Sequence, residues 1–96
     1  MKILDMSEDS LLEGLIEECS ELIQAAAKRL RIMRGESPTP VTLAENEAHL
    51  IEELADAELC IQTIVEKLDA QKEVDTIYLD KLKRWEKRLK EKEAEN

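Results

Sequence analysis

GESPTPV, residues 35–41, decides the fold of this chain. Two prolines one residue apart lack the backbone donors that a helix needs, and each steers the residue before it out of the helical region. Gly35 takes the left-handed conformation that ends a helix at little cost. The segment is therefore a stiff connection between two helical stretches, and the chain folds back on itself there.

Upstream, Leu12, Ile16, Cys19, Ile23, Ala26, Leu30 and Met33 recur at 4-3-4-3-4-3, a helical seam that Leu11, Leu15 and Leu22 widen on one side. This predicts a helix from about Ser10 to Arg34, opened by a capping box of Ser10 with Glu13; a start near Ser7 fits equally. Downstream, Thr42 with Glu45 forms a second capping box ahead of a helix from about Leu43 to Leu68 or a little beyond. Its seam is Leu50, Leu54, Ala57, Ile61, Ile64 and Leu68, while Ile51, Leu59, Cys60 and Val65 lie off it. A helix apolar on more than one side, in so short a chain, is best covered by another subunit. A third helix is expected from about Thr76 to Lys92, with Asp75 as N-cap and Ile77, Leu82, Trp85 and Leu89 as a weaker apolar side. Residues 93–96 are expected to fray beyond a single domain over 1–92. The fold class is all-α: an antiparallel helical hairpin plus a third helix, assembling as a homo-oligomer into a multi-helix bundle such as a four-helix bundle.

Composition agrees. A chain of 96 residues is one domain at most. It has no Phe, and Tyr78 and Trp85 are its only aromatics, so the core is built from Leu, Ile, Val and Ala, which suits helices better than a sheet. A net charge of −9 repels a phosphate backbone and disfavours nucleic acid. Cys19 and Cys60 form no CxxC pair and read as reduced, helix-packing residues of a cytoplasmic protein. Met1 to Met6 is too short and polar for a signal peptide, and no apolar run approaches the roughly 20 residues that span a bilayer. A soluble, intracellular protein without a membrane partner is expected.

Some carboxylates sit in awkward places. On a wheel of 100° per residue, Glu53 lies about 60° from the seam of the second helix and Asp56 about 60° further, with His49 between them in direction. Glu18 flanks Leu11 and Leu22 at the edge of the first seam, and Glu21 lies further out. The pairs Glu18/Asp56 and Glu21/Glu53 share a sequence midpoint, residue 37, inside the turn. In an antiparallel hairpin they come level, and four acidic groups converge. Without a cation that cluster is repulsive. Oxygen donors with at most one histidine favour Mg²⁺ or Mn²⁺ over zinc. The plainer reading is that acidic i, i+3 pairs are common on solvated helix faces, because Glu is a good helix former.

The runs Glu17-Glu18-Cys19-Ser20-Glu21-Leu22 and Glu52-Glu53-Leu54-Ala55-Asp56 resemble the paired ExxE and ExxD signature of the MazG-like superfamily, often EExxEL followed by EELAD or EELGD. The resemblance covers roughly residues 11 to 70. It implies an all-α, oligomeric, magnesium-dependent enzyme that hydrolyses nucleoside triphosphates between the α and β phosphates, with Glu18, Glu21, Glu53 and Asp56 holding the metal. Glu17 is the candidate to orient the attacking water; an exposed helix residue is the alternative. The 31 residues between Glu21 and Glu53 are toward the long side for the family, and Ala55 stands where many relatives have Gly. The third helix, with Lys81, Arg84 and Arg88 in YLDKLKRWEKRL, resembles the basic helix that often follows the family core. Lys81 and Arg84 are expected to reach the β and γ phosphates, or else to pair at the surface with Asp80 or Glu86. Trp85 either packs this helix onto the hairpin, the plainer reading, or stacks on a base. His49 either donates a hydrogen bond to Glu53 or touches substrate or metal.

Other chemistries lack their parts. A carboxylate-bridged di-iron bundle wants Glu-x-x-His, and Asn46 stands three residues before His49. There is no Gly-rich phosphate loop and no histidine-based triad. The rival of another class is a non-catalytic helical-bundle adaptor or regulatory protein, which the seams alone support as well.

Overall fold

A computed structural model describes residues 1–36 and 41–95. It is all-α: a short 3-10 turn at Ile3–Asp5, then α1 (Glu8–Arg34), α2 (Leu43–Lys67) and α3 (Gln71–Ala94). Both prolines of the GESPTPV segment lie outside the described residues. None of these helices is long and apolar enough to cross a membrane.

Helix α1 takes the earlier of its two possible starts. Ser7 is the N-cap and accepts from the Ser10 backbone N–H, so Ser10 sits inside the first turn and the Ser10–Glu13 box does not form. Glu8 and Asp9 follow at once, where the helix dipole favours negative charge. At the other end Gly35, at φ 62°, closes α1 as expected: its N–H reaches Ile32 O, and that of Glu36 reaches Arg31 O. Thr42 caps α2 as expected, accepting from Glu45 N–H at 3.1 Å.

Helices α1 and α2 pack together with contacts in antiparallel order. Arg29 meets Glu47 at 3.5 Å, Asn46 donates to Ala25 O, Glu18 faces Glu53 and Asp56, and Lys67 donates to Leu4 O at 2.9 Å. The faces in contact differ from the seams read above. The inner line of α1 is Leu11, Leu15, Glu18, Leu22, Ala25, Arg29 and Ile32, all buried or half-buried. Most of the predicted line, one residue on, points outward: Leu12, Ile16, Ile23, Ala26, Leu30 and Met33 are exposed, Ile16 by 71%, while Cys19 is half-buried. On α2 the predicted seam splits. Leu50, Ala57 and Ile64 face in with Asn46, Glu53 and Cys60, whereas Leu54, Ile61 and Leu68 are exposed. Both lines of α1 have the same 4-3 spacing, so periodicity cannot choose between them. The chain folds with the less apolar line inside.

Helix α3 departs most from expectation. It starts at Gln71, five residues before the predicted Thr76, with Ala70 rather than Asp75 as N-cap. The cause is the end of α2. Asp69 adopts φ 52°, Ala70 N–H bonds to Val65 O and Asp69 N–H to Glu66 O, so α2 stops sharply and a new helix begins at once. Gln62 donates to Gln71, which donates to Asp75, bracing the corner. At the far end α3 continues through Ala94, past the predicted limit near Lys92.

This arm leaves the hairpin rather than covering it. Every described residue of α3 is exposed, including Trp85 at 64%, which therefore does not anchor the helix to the hairpin. Among the described residues α3 touches α2 at the corner and does not touch α1. The molecule measures 46 × 41 × 18 Å, and its radius of gyration of 17.5 Å compares with about 12.5 Å for a compact chain of this length. One chain supplies three helices, so a four-helix bundle requires a second copy.

Candidate metal centre

The inner line of each helix carries one acid. Glu18 lies between Leu15 and Leu22 on α1. Glu53 lies between Leu50 and Ala57 on α2 and is only 6% exposed. One turn away, Asp56 is half-buried on the same side. Carboxylate oxygens of Glu18, Glu53 and Asp56 lie within 4.8 Å of one another. Glu21, half-buried one turn beyond Glu18 on α1, stands near enough to push both the Glu18 and Glu53 carboxyls upward. Three of the four acids predicted from sequence thus converge in one stretch of the α1–α2 groove, with Glu21 beside them. The pairs do come level, but Glu53 is part of the packed face rather than 60° from it.

The electrostatics are those of a site short of positive charge. Burial pushes the Glu18 carboxyl above the ordinary 4.5, and Glu21, Asp56 and Glu53 add to the rise. Burial likewise raises Glu53, with Glu21 next; His49 opposes and Asp56 adds again. His49 Nε2 stands 3.7 Å from Glu53 Oε1, beyond hydrogen-bond length, so the expected donation is not made. A second oxygen on each inner acid, Glu18 Oε2 and Glu53 Oε2, is buried without a hydrogen-bond partner. Buried carboxylate oxygens rarely remain unpartnered, because desolvation is then uncompensated. Two such orphans converging from facing helices form a donor set of hard oxygens that fits a divalent cation such as Mg²⁺ or Mn²⁺.

The remaining predicted residues are not gathered at this point. Glu17 is on the exposed side of α1. Lys81, Arg84 and Trp85 lie on the free arm, where Arg84 pairs with Asp80 at 3.2 Å, one of the surface pairs anticipated. With a rise of 1.5 Å per residue, Asp56 is about 17 Å from the corner along α2 and Lys81 about 15 Å along α3. Helix α3 runs away from the hairpin and meets α2 only at the corner among the described residues, so Lys81 is not beside the acids of its own chain.

Two neighbours escaped the sequence reading. The thiol of Cys60 borders the cluster; burial pushes it up, with Glu18, Cys19 and Asp56 contributing. Both cysteines are free, as expected. Further along the groove Asn46 is 2% exposed, and its Oδ1 is buried without a partner while Nδ2 donates to Ala25 O at 3.3 Å. Its position in 46-50-53-57-60-64 was the available signal, but a polar residue at the head of an apolar line does not announce itself.

An all-α hairpin with converging acids on successive helices defines a class of helical proteins built around a carboxylate cluster. The family model of the MazG nucleotide pyrophosphohydrolase domain matches residues 6–88, and the chain belongs to that family. The match extends beyond the quoted signature into α3. No curated protein and no solved structure gives a significant match.

Proposed function

We propose that this protein is a magnesium-dependent nucleotide pyrophosphohydrolase, converting a nucleoside or deoxynucleoside triphosphate and water into the monophosphate and pyrophosphate. The observation that carries the reading is the pair of orphaned buried oxygens, Glu18 Oε2 and Glu53 Oε2, within a four-acid cluster of a chain of this family.

Glu18, Glu21, Glu53 and Asp56 hold the metal. When bound, magnesium, or manganese in its place, supplies electrostatic stabilisation of the charge that develops on the phosphate oxygens. Glu17 is the candidate to orient water toward the α-phosphorus and to take its proton. Lys81 and Arg84 bind the phosphates, Trp85 stacks on the base, and His49, beside Glu53, borders the substrate. The enzyme works in the cytoplasm as a homo-oligomer, which covers the outward apolar lines of α1 and α2.

The test is pyrophosphate release from a panel of ribo- and deoxynucleoside triphosphates, with magnesium and with EDTA. Magnesium-dependent release is expected from wild type and not from Glu53→Ala or Asp56→Ala, whose helices remain folded. Full activity in either variant refutes the metal assignment. An adaptor without catalysis predicts no release from any nucleotide and no thermal response to magnesium.

A further inference from the structure

We infer that the corner between α2 and α3 is a two-state hinge: the bent form interconverts with a straight form in which α2 and α3 run on as one continuous helix. The first ground is the sequence at the corner. No glycine or proline occurs after Pro40. Residues 66–73 read Glu-Lys-Leu-Asp-Ala-Gln-Lys-Glu, and each of them except Asp69 is a strong helix former. Nothing in that run forbids the helix from continuing.

The second ground is the geometry of the stop. Ala70 N–H reaches Val65 O and Asp69 N–H reaches Glu66 O, the pair of bonds that closes a helix through a left-handed residue. Such a position usually holds glycine, because a side chain is strained there; this chain places Asp69 in it, at φ 52°. The next helix opens on Ala70, which has no side-chain oxygen to accept from the first-turn N–H groups. A continuous helix relieves the strain at Asp69 and pairs those donors.

The third ground is how little holds the bend. Every described residue of α3 is exposed, and among the described residues the arm meets α2 alone. Straightening therefore uncovers no buried side chain of α3. A tie specific to the bend is the bond from Gln62 to Gln71 at 2.6 Å, which is exposed, so that water competes for it. On a straight helix these two residues, nine apart, are separated by about 13.5 Å of rise, and the bond is lost. The bond from Gln71 to Asp75 spans one turn of α3 and survives in either form. The straight helix, from Leu43 to Ala94, is about 78 Å long, against 46 Å for the longest dimension of the bent chain. The swing carries residues 81–92, seven cations and two acids, to a new position without disturbing the α1–α2 hairpin. A ligand that favours one position of this cationic segment shifts the equilibrium.

The hinge is independent of the reaction proposed above and is tested without it. Spin labels are placed at Glu58→Cys on α2 and Lys90→Cys on α3, both exposed, with Cys19 and Cys60 replaced by serine. Labelled chain is diluted into excess unlabelled chain, so that pulsed electron resonance reads distances within one chain. A continuous helix holds the two sites about 48 Å apart, and the corner brings them well short of that. Asp69→Gly favours the left-handed stop and is expected to lower the ratio of straight to bent form at least about fivefold. Gln62→Ala/Asp69→Ala removes the tie and favours the helix, and is expected to raise that ratio about tenfold or more. Helix content by circular dichroism is expected to hold or rise in the alanine variant. One short distance shared by wild type and both variants overturns the hinge, as does a loss of helix content in the alanine variant.

Discussion

Magnesium should stabilise this protein, and the same single substitution should both raise its stability without the ion and remove most of the response to it. Glu18 Oε2 and Glu53 Oε2 are buried without partners, and burial and neighbouring acids push both carboxyls upward. The metal-free fold therefore contains repulsion that a cation relieves. A ligand at a hundred times its dissociation constant stabilises the folded state by about 2.7 kcal/mol. Unfolding entropy near 2.1 cal/mol/K per residue gives roughly 0.2 kcal/mol/K for a chain of 96 residues, so Tm should rise by about 13 °C. The estimate is per chain, and an oligomer with one site per chain gives the same shift. Glu53→Gln keeps the side-chain volume and removes one negative charge from the cluster. In EDTA its Tm should exceed that of wild type, and in saturating magnesium its gain should fall to less than a third of the wild-type gain.

The assay is differential scanning calorimetry in EDTA and in a magnesium series, with circular dichroism to verify helix content. Sodium chloride at matched ionic strength controls for screening, which relaxes surface repulsion without occupying a site. A wild-type shift of less than about 2 °C at saturating magnesium, or a glutamine variant that is less stable in EDTA yet responds as wild type does, would refute the view that these acids await a cation.

Stability without metal should rise as pH is lowered from 7 toward 4.5. The folded pKa values of Glu18 and Glu53 lie above their ordinary 4.5, so in that window the folded state binds more protons than the unfolded one, and their contribution is lost as pH climbs through the raised values. Asp9 acts oppositely: bonds to Ser7 and Ser10 hold its carboxyl below 3.8, a contribution lost only as pH falls further. Urea titrations in EDTA should show this maximum near pH 4.5, and saturating magnesium should flatten the rise. Gly35→Ala should cost about 1–2 kcal/mol in the same assay, because φ is 62° and nothing lies near the added methyl to offset the backbone strain. Asn46→Leu should be neutral or stabilising by up to about 2 kcal/mol, since it removes an orphaned Oδ1 and forfeits one bond of 3.3 Å; a large loss would reveal a partner for that oxygen.

The helix ends at Gly35 and Thr42, the three helices and the convergence of Glu18, Glu53 and Asp56 were legible in the sequence because each depends on local chemistry: end residues that close or cap a helix, and i, i+3 spacing within one. What was not legible depends on non-local choices. Lines 11-15-18 and 12-16-19 of α1 have identical periodicity, and choosing by apolar content picks the outer one. The inner line wins with Glu18 and Arg29 on it, opposite Glu53 and Asn46 on α2. The direction of α3 was hidden for another reason. It is set at Asp69, a non-glycine residue in the left-handed region, and no pattern distinguishes that aspartate from the 22 other acids of the chain. Trp85 consequently read as an anchor, since a lone tryptophan on an amphipathic helix usually covers a core, but the corner turns it away.

The choice of inner line bears directly on how the protein works. Among the described residues the buried apolar ones are Leu11, Ala25, Ala57, Ile64 and Val65, and two of the five are alanines. So small a core cannot by itself offset the conformational entropy of the whole chain by a comfortable margin. The better apolar surface, Leu12 to Met33 along α1 and Leu54 to Leu68 along α2, faces outward, and the inner face contains mutually repelling acids. Had the more apolar line packed inside, the hairpin would be more stable alone, and its carboxylates would lie in solvent, where they could not hold a cation tightly. By giving the inner positions to Glu18 and Glu53, the fold trades monomer stability for a desolvated cluster. Under the proposed function, folding is linked to cation binding at that cluster and to the covering of the outer faces, each drawing the others forward.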